Sequence, residues 1–184
     1  MTGSDRIQYI TSRGEVPKEH RHHYDAIAES RGGVRGPFSV LLNSPELAGR
    51  VGHLGAYVRY EGELPDADRE LAILATARAF DCAFEWAAHE PIARKAGVGN
   101  RTIEIVANSE PTDDLDEGER VIVEYSRELF EEHSVSDGTF DAAFDRFGES
   151  GITELTGTMG YYAMLACALN AFEVSPEPDQ PSLP

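Results

Sequence analysis

The sequence predicts an all-α fold, and three observations support that prediction. Apolar residues recur at intervals of three and four, which is the spacing of one helix face, and not at the interval of two that a strand requires. Glycine and proline pairs divide the chain into segments of helical length. The run LAILATARAF, from Leu71 to Phe80, is apolar almost all round, which is typical of a helix covered on every side. We therefore expect a compact multi-helix bundle.

The first helix is predicted to run from about Pro17 to Ser30, because proline suits the first turn and the following glycine pair cannot continue a helix. After a short helix over 38–42, a Ser-Pro pair at residue 44 opens a longer helix that ends near Gly62. The stripe expected to face the core from that helix comprises Leu47, Val51, Leu54 and Val58.

The central helix is predicted to start near Pro65 and to include the apolar run described above. The next segment, from Cys82 to Lys95, is amphipathic and closes at Gly97, a residue suited to a left-handed cap. A short helix follows over 101–107. These segments form the predicted middle of the bundle.

The remaining helices follow the acidic loop SEPTDDLDEGE. The stripe of the first of them comprises Val121, Ile122, Tyr125, Leu129 and Phe130. Ser136 is predicted to cap the next helix, whose Phe140, Phe144 and Phe147 are spaced for burial. A turn over 148–151 then leads into a long final helix from about Thr153.

The predicted organisation is an N-terminal arm with one helix over 1–35, one helical domain over 36–175 and a disordered tail over 176–184. The tail is rich in proline and has little apolar surface to bury. The chain length suits a single core, so we expect one main domain.

The charge of the chain argues against two classes of partner. Thirty-three acidic and 16 basic residues give a formal charge of -17, which repels nucleic-acid phosphates and anionic lipids. The apolar segment 152–174 contains Glu154, Asn170 and Glu173, so we expect a core helix there and no membrane span. The N-terminal residues show no secretory signal, and we expect a cytoplasmic protein whose Cys82 and Cys167 are thiols and not a disulfide.

The candidate chemistry lies on one helix face. Cys82, Glu85 and His89 are spaced i, i+3 and i+7, so a thiol, a carboxylate and an imidazole share one side, with Trp86 beside them as an apolar wall. This set suits a proton relay. Alternatives remain for each residue alone, since Cys82 can be a small buried residue and His89 a hydrogen-bonded core histidine.

A second carboxylate, Glu70, opens the apolar run and would suit a relay if it were buried. In one unbroken helix it would lie roughly 18 Å from Cys82, so a chain break between them is required. His53 and Tyr57 are candidates for lining a substrate pocket.

The EHRHH run at 19–23 resembles a metal patch, but its three histidines cannot converge from one helix face. We therefore expect His20, His22 and His23 to be solvated, and we expect no metal and no cofactor.

The stretch LPDADRELAILATARAFDCAFEWAAHEPIARKAGV resembles the core of carboxymuconolactone decarboxylase family proteins, with similar element order over roughly 36–174. The related alkylhydroperoxidase D enzymes carry Glu-x11-Cys-x2-Cys-x3-His. Glu70, Cys82, Glu85 and His89 occupy those four positions in order. In those peroxidases the second cysteine attacks peroxide and the first resolves it, so Glu85 excludes a CxxC disulfide cycle here.

The resemblance implies a homotrimer or homohexamer acting on a small molecule. Its decarboxylase branch implies a lyase in which His89 moves the proton, Glu85 and Glu70 relay it, and Arg78 either binds a substrate carboxylate or, as the favoured alternative, pairs with Glu70. The competing interpretations are a one-cysteine hydroperoxide reductase with peroxiredoxin-type activity through Cys82, an oxidoreductase, and a non-catalytic binding protein.

Overall fold

Helices make up the regular structure of residues 6–184, the part of the chain that the computed structural model describes, and no strand occurs within that range. The predicted all-α class is therefore confirmed. The chain forms two compact units: one contains the residues up to Gly62 together with Cys167–Ser175, and the other contains Glu63–Ala166 together with Pro176–Pro184. Among the helices of residues 6–184, none combines the length and apolar character needed to cross a bilayer.

The first unit contains α1 (Arg21–Arg31), α2 (Pro37–Leu41) and α3 (Pro45–Ala56), and a π-helical turn over Tyr57–Glu61 extends α3. The α-helix α1 begins later than predicted, because a 3-10 turn occupies Lys18–His20. It ends as predicted, at Gly32 with a φ of 69°.

The buried face of α3 differs from the predicted stripe. Leu47 and Leu54 are 48% and 49% exposed, so their predicted burial is wrong, whereas Val51 and Val58 are buried as expected. The small residues Ala48, Gly52 and Gly55 occupy the inward face. A Cβ atom at Gly52 would lie 3.0 Å from the Ile27 side chain, so α3 approaches its neighbour too closely for a larger residue.

The second unit is built around α4 (Asp66–Ala79), whose residues from Glu70 to Ala77 are all buried, as predicted, whereas Ala79 near the end of the apolar run is exposed. Around it lie α5 (Ala83–Ala96), α6 (Asn100–Asn108), α7 (Glu117–Arg127) and the first part of α8 (Asp137–Ala171). Gly97 caps α5 in the left-handed region with a φ of 106°, which confirms that prediction.

The start of α8 confirms the predicted cap, since the Thr139 amide donates to Ser136 Oγ at 3.4 Å. Gly148, with φ 66° and ψ -176°, interrupts α8 inside the segment predicted to turn. Phe140 and Phe144 are exposed, so their predicted burial is wrong, because the helix turns Ala143 to the core. Phe147 packs partly buried against that core.

The last nine residues, for which the sequence predicts disorder, belong to the second unit. Leu183 packs against the apolar core of that unit. Arg78 Nη1 donates to the Pro184 carbonyl oxygen at 3.1 Å. The end of the chain therefore contacts α4 through Arg78.

Candidate functional site

The site is organised by the break between α4 and α5. Helix α4 ends at Ala79, Asp81 has a left-handed φ of 47°, and Cys82 is the N-cap of α5. This tight connection sends α5 back along α4, so Glu70 near one end of α4 meets His89 in the middle of α5. The predicted chain break is therefore present, and it brings together residues that one continuous helix would hold far apart.

His89 lies between two carboxylates. Its Nδ1 is 2.7 Å from Glu70 Oε2, and its Nε2 is 3.5 Å from Glu85 Oε2. Glu70, His89 and Glu85 are only 2%, 3% and 4% exposed, and Cys82 is completely buried. We call Glu70, His89 and Glu85 the carboxylate–imidazole chain.

These two contacts allow His89 to exchange a proton with either carboxylate. An ionised carboxylate only accepts hydrogen bonds, so the short contact to Glu70 holds a proton on His89 Nδ1. In a neutral imidazole Nε2 then presents a lone pair toward Glu85, and it donates toward Glu85 once the ring is protonated. At 3.5 Å this contact forms an ion pair when the imidazole is protonated.

The surroundings exclude water from the imidazole. Tyr162, on α8, meets the His89 ring edge to face with ring centres 5.0 Å apart. Trp86 is buried in the apolar core of the second unit, and its role as a wall of the site stays a prediction. Arg69 Nε lies 3.9 Å from Glu70 Oε1 and offsets part of the buried negative charge.

The sequence of the segment that carries this site matches a known family. Residues 45–120, which include Glu70, Cys82, Glu85 and His89, match the family model described as Carboxymuconolactone decarboxylase family. Residues 45–120 of this chain are therefore similar to the carboxymuconolactone decarboxylase family. No curated protein matches the sequence significantly.

Solved structures show the same fold at low sequence identity. The debrominase Bmp8 in its apo form superposes with a TM-score of 0.74 at 14% identity, over 95% of this chain and 94% of that one. The alkylhydroperoxidase AhpD core protein from Ralstonia eutropha JMP134, described as an uncharacterized peroxidase-related protein, has a TM-score of 0.73 at 17% identity, covering 92% and 91%. A peroxidase-related protein from Silicibacter sp. TM1040 has a TM-score of 0.72 at 12% identity, covering 97% and 96%.

Arg78 does not pair with Glu70, so the favoured sequence interpretation of its role is wrong. Its Nη2 lies 3.1 Å from Asp81 Oδ1. The reason is helical geometry, because residues eight apart are separated by more than two turns along α4. Arg78 lines a cleft of about 190 Å³ with Val106, Arg127 and other residues, and neither Cys82 nor His89 lines that cleft.

The other predicted pocket residues lie in the first unit. His53 and Tyr57 are exposed there, and their role in a substrate pocket stays a prediction. Cys167 is exposed, Cys82 is buried, and they form no disulfide within residues 6–184.

The histidine run gave a partly wrong prediction. His22 is exposed, as expected, with its Nδ1 3.1 Å from the Glu19 carbonyl oxygen. His20 and His23 are instead partly buried and converge on Glu46 of α3. The nearby His23 ring makes the largest contribution that lowers the pKa of the Glu46 carboxyl below its ordinary value, and Arg50 and His20 lower that pKa further. Sequence reasoning missed Glu46 because the histidine spacing alone does not show which helix packs against α1.

Proposed function

We propose that this protein belongs to the carboxymuconolactone decarboxylase family and is an enzyme that moves a proton to or from a small organic substrate of the carboxylated lactone type. The observation that supports this is the position of His89 between two buried carboxylates, at 2.7 and 3.5 Å. These three side chains can hold a transferable proton in a site from which water is largely excluded.

In the proposed decarboxylation, the bond between the substrate carbon and its carboxylate breaks, carbon dioxide leaves, and the electron pair remains as an enolate. The proton shared by His89 Nε2 and Glu85 then passes to the carbon end of that enolate. Glu70 keeps the imidazole in one orientation through Nδ1 and stabilises its protonated form. After the product leaves, a proton from solvent reprotonates His89 Nε2.

The test is turnover of a panel of carboxylated lactones by wild type, His89→Gln and Glu85→Gln. Because general acid–base catalysis contributes about 10²–10⁴-fold, we expect kcat/KM to fall by that factor in both variants. Matched controls are His22→Gln and Glu104→Gln, which alter an exposed imidazole and an exposed carboxylate. Circular dichroism checks that each variant folds.

Two outcomes would overturn the proposal. One is a folded His89→Gln variant that keeps the wild-type rate on a substrate of the panel. The other is a wild-type protein that turns over no member of the panel. Binding of a panel member without turnover would instead favour the non-catalytic binding protein.

A second candidate is a one-cysteine hydroperoxide reductase, which is favoured by the position of Cys82 at the N-cap of α5. Unpaired amides at a helix start stabilise a thiolate. The thiolate would attack the terminal peroxide oxygen, the O–O bond would break, and the alcohol would leave with a proton from His89 and Glu85. Cys82 would become a sulfenic acid, which an added small-molecule thiol reduces with release of water.

The second cysteine of the protein, Cys167, serves as an internal control for the reactivity of Cys82. Cys167 is exposed and Cys82 is buried, so accessibility alone predicts that peroxide oxidises Cys167 first. Oxidation of Cys82 ahead of Cys167 by substoichiometric peroxide, read by mass spectrometry, would support the reductase. Oxidation of Cys167 alone would exclude it.

A separate assay should offer the protein a brominated pyrrole together with an added thiol, because a cysteine-to-alanine variant of Bmp8 was solved with 2,3,4-tribromopyrrole. Replacement of bromine by hydrogen needs two electrons and a proton. Cys82 and one added thiol would supply the electrons and end as a mixed disulfide, with bromide released. Bromide release by wild type but not by Cys82→Ser would support this reaction, and equal release by both would exclude it.

A further inference from the structure

A second cluster of chemical groups lies in the first unit, outside the carboxylate–imidazole chain. Glu46 Oε1, on α3, is 3.2 Å from His23 Nε2 and 3.7 Å from His20 Nδ1. The ligand atoms of these three side chains all lie within 4.8 Å of one another. One carboxylate oxygen and two imidazole nitrogens therefore face a common point.

The two imidazole nitrogens at this point are short of hydrogen bonds. His20 Nδ1 and His23 Nε2 are shielded from solvent and have no hydrogen-bond partner, although both are near the Glu46 carboxylate. A buried polar atom without a partner is costly and calls for an explanation. A bound cation at the common point would satisfy both nitrogens and the carboxylate together.

The backbone of α3 makes room for this arrangement. A Cβ atom at Gly49 would lie 2.1 Å from His23 Nδ1, so any larger residue would displace the ring. Gly49 is one helical turn from Glu46, and the absence of a side chain there lets the imidazole lie against α3. The glycine thus places His23 beside the carboxylate.

We propose that His20, His23 and Glu46 form a site for a divalent transition-metal ion of the zinc type. Two imidazoles and a carboxylate are ligands that zinc accepts, with water in the fourth position. In a tetrahedral zinc site, neighbouring ligand atoms lie roughly 3.3–3.5 Å apart, close to the two distances from Glu46 Oε1. A small movement of His20 and His23 toward Glu46 would bring all three ligand atoms within bonding distance of one ion.

The neighbouring groups restrict the ligand set to these three. The His22 ring lies tilted at 40° against the His23 ring with ring centres 3.9 Å apart, and its Nδ1 faces a backbone carbonyl oxygen. Arg50 Nη2 lies 3.7 Å from the other carboxylate oxygen, Glu46 Oε2, and leaves Oε1 to the metal. A bound ion would join the start of α1 to α3 within the first unit, independently of the chemistry proposed for His89.

The test is a calorimetric titration of Zn²⁺ into chelator-treated protein. An excess of Mg²⁺ in the buffer occupies nonspecific sites on this acidic chain. We expect one tight zinc ion per chain in wild type and a rise in its thermal unfolding midpoint. His23→Gln and Glu46→Gln should weaken binding at least about tenfold. His53→Gln, which alters an exposed histidine on α3, should bind zinc as wild type does.

A variant that changes no ligand gives an independent measurement. Gly49→Ala should displace the His23 ring and weaken zinc binding at least about tenfold, while the metal-free protein stays folded. Gly157→Ala, whose Cβ would meet nothing within 4 Å, is its control. The proposal is overturned if wild type binds no zinc in excess Mg²⁺, or if the ligand variants and Gly49→Ala bind it as tightly as wild type.

Discussion

Glu85 stands where the alkylhydroperoxidase D enzymes that this sequence resembles carry their second cysteine. A carboxylate cannot form a disulfide with Cys82, but it can exchange a proton with His89 Nε2, which lies 3.5 Å away. Both side chains are buried, so this exchange would be shielded from bulk water. The substitution therefore favours proton transfer over a dithiol cycle at this helix start.

The first prediction concerns the energetic coupling of Glu70 and His89. Replacing His89 by glutamine leaves two buried carboxylates without their imidazole, which should lower the free energy of unfolding by about 3–5 kcal/mol. The Glu70→Gln, His89→Gln double variant should lose less than the sum of the two single variants, because it also removes one carboxylate. Urea unfolding at neutral pH measures all four proteins. Strictly additive losses would show that the two residues are not coupled.

At the scale of the elements, Glu128 links the π-helical turn Glu128–Glu132, which follows α7, to the start of α8. Its carboxylate accepts hydrogen bonds from the Ser136 amide at 2.6 Å and from the Thr139 hydroxyl at 2.6 Å. Partial burial raises the pKa of Glu128, but these hydrogen bonds outweigh it and leave the pKa below its ordinary value of 4.5. The ionised form therefore stabilises the native state.

The second prediction is the pH dependence of this contact. Because the native pKa of Glu128 is lowered, its stabilisation is fully present above pH 4.5 and is lost as the pH falls through the native pKa. Glu128→Gln should lower the free energy of unfolding by about 1 kcal/mol at pH 7. Urea unfolding of both proteins at stepwise lower pH should show this difference shrink below pH 4.5. A difference that stays constant with pH would contradict the prediction.

The third prediction concerns the interruption of α8. Gly148 has φ 66° and ψ -176°, a conformation open almost only to glycine. Gly148→Ala should therefore lower the free energy of unfolding by about 1–3 kcal/mol, although no neighbouring atom obstructs the new Cβ. Gly157→Ala, within a helical stretch of α8, should raise it by up to about 1 kcal/mol. Thermal unfolding of the two variants tests whether the effects have opposite signs.

At the scale of the whole molecule, apolar side chains remain on the surface of the first unit. The exposed large residues of this patch are Leu47, Leu54, Tyr57 and Tyr60. Large apolar side chains exposed near one another are typical of protein contacts, and the trimer or hexamer that the sequence resemblance implies stays a prediction. A charge of -17 on each chain opposes such assembly through long-range repulsion, which salt screens.

The fourth prediction follows from these two opposing effects. We expect the chain to form oligomers whose population rises with salt, and Leu54→Glu to shift the equilibrium toward monomer. Thr153→Glu, which adds the same charge at an exposed position of α8, is the control. Sedimentation velocity at two salt concentrations measures the distribution. A monomeric wild type at high salt, or an equal shift in both variants, would show that this patch is not the interface.

Periodicity and local residue types predicted the helical class, the buried α4, the Gly97 and Ser136 caps and the proximity of Glu85 to His89 on one helix face. The place of Cys82 on that face stays a prediction. These features depend on residues within a few turns of one another, and local hydrogen bonding and side-chain spacing decide them. The resemblance supplied the place of Glu70 in the same set.

Only the tertiary structure decided which helices meet. It brought Glu70 of α4 to His89 of α5, placed Tyr162 against the imidazole, and set Glu46 beside His20 and His23. It also turned the small residues of α3 inward and left Leu47 and Leu54 outside. The physical reason is that helical periodicity identifies apolar faces, whereas close packing decides which face fits a neighbour, and that fit depends on residues distant in the chain.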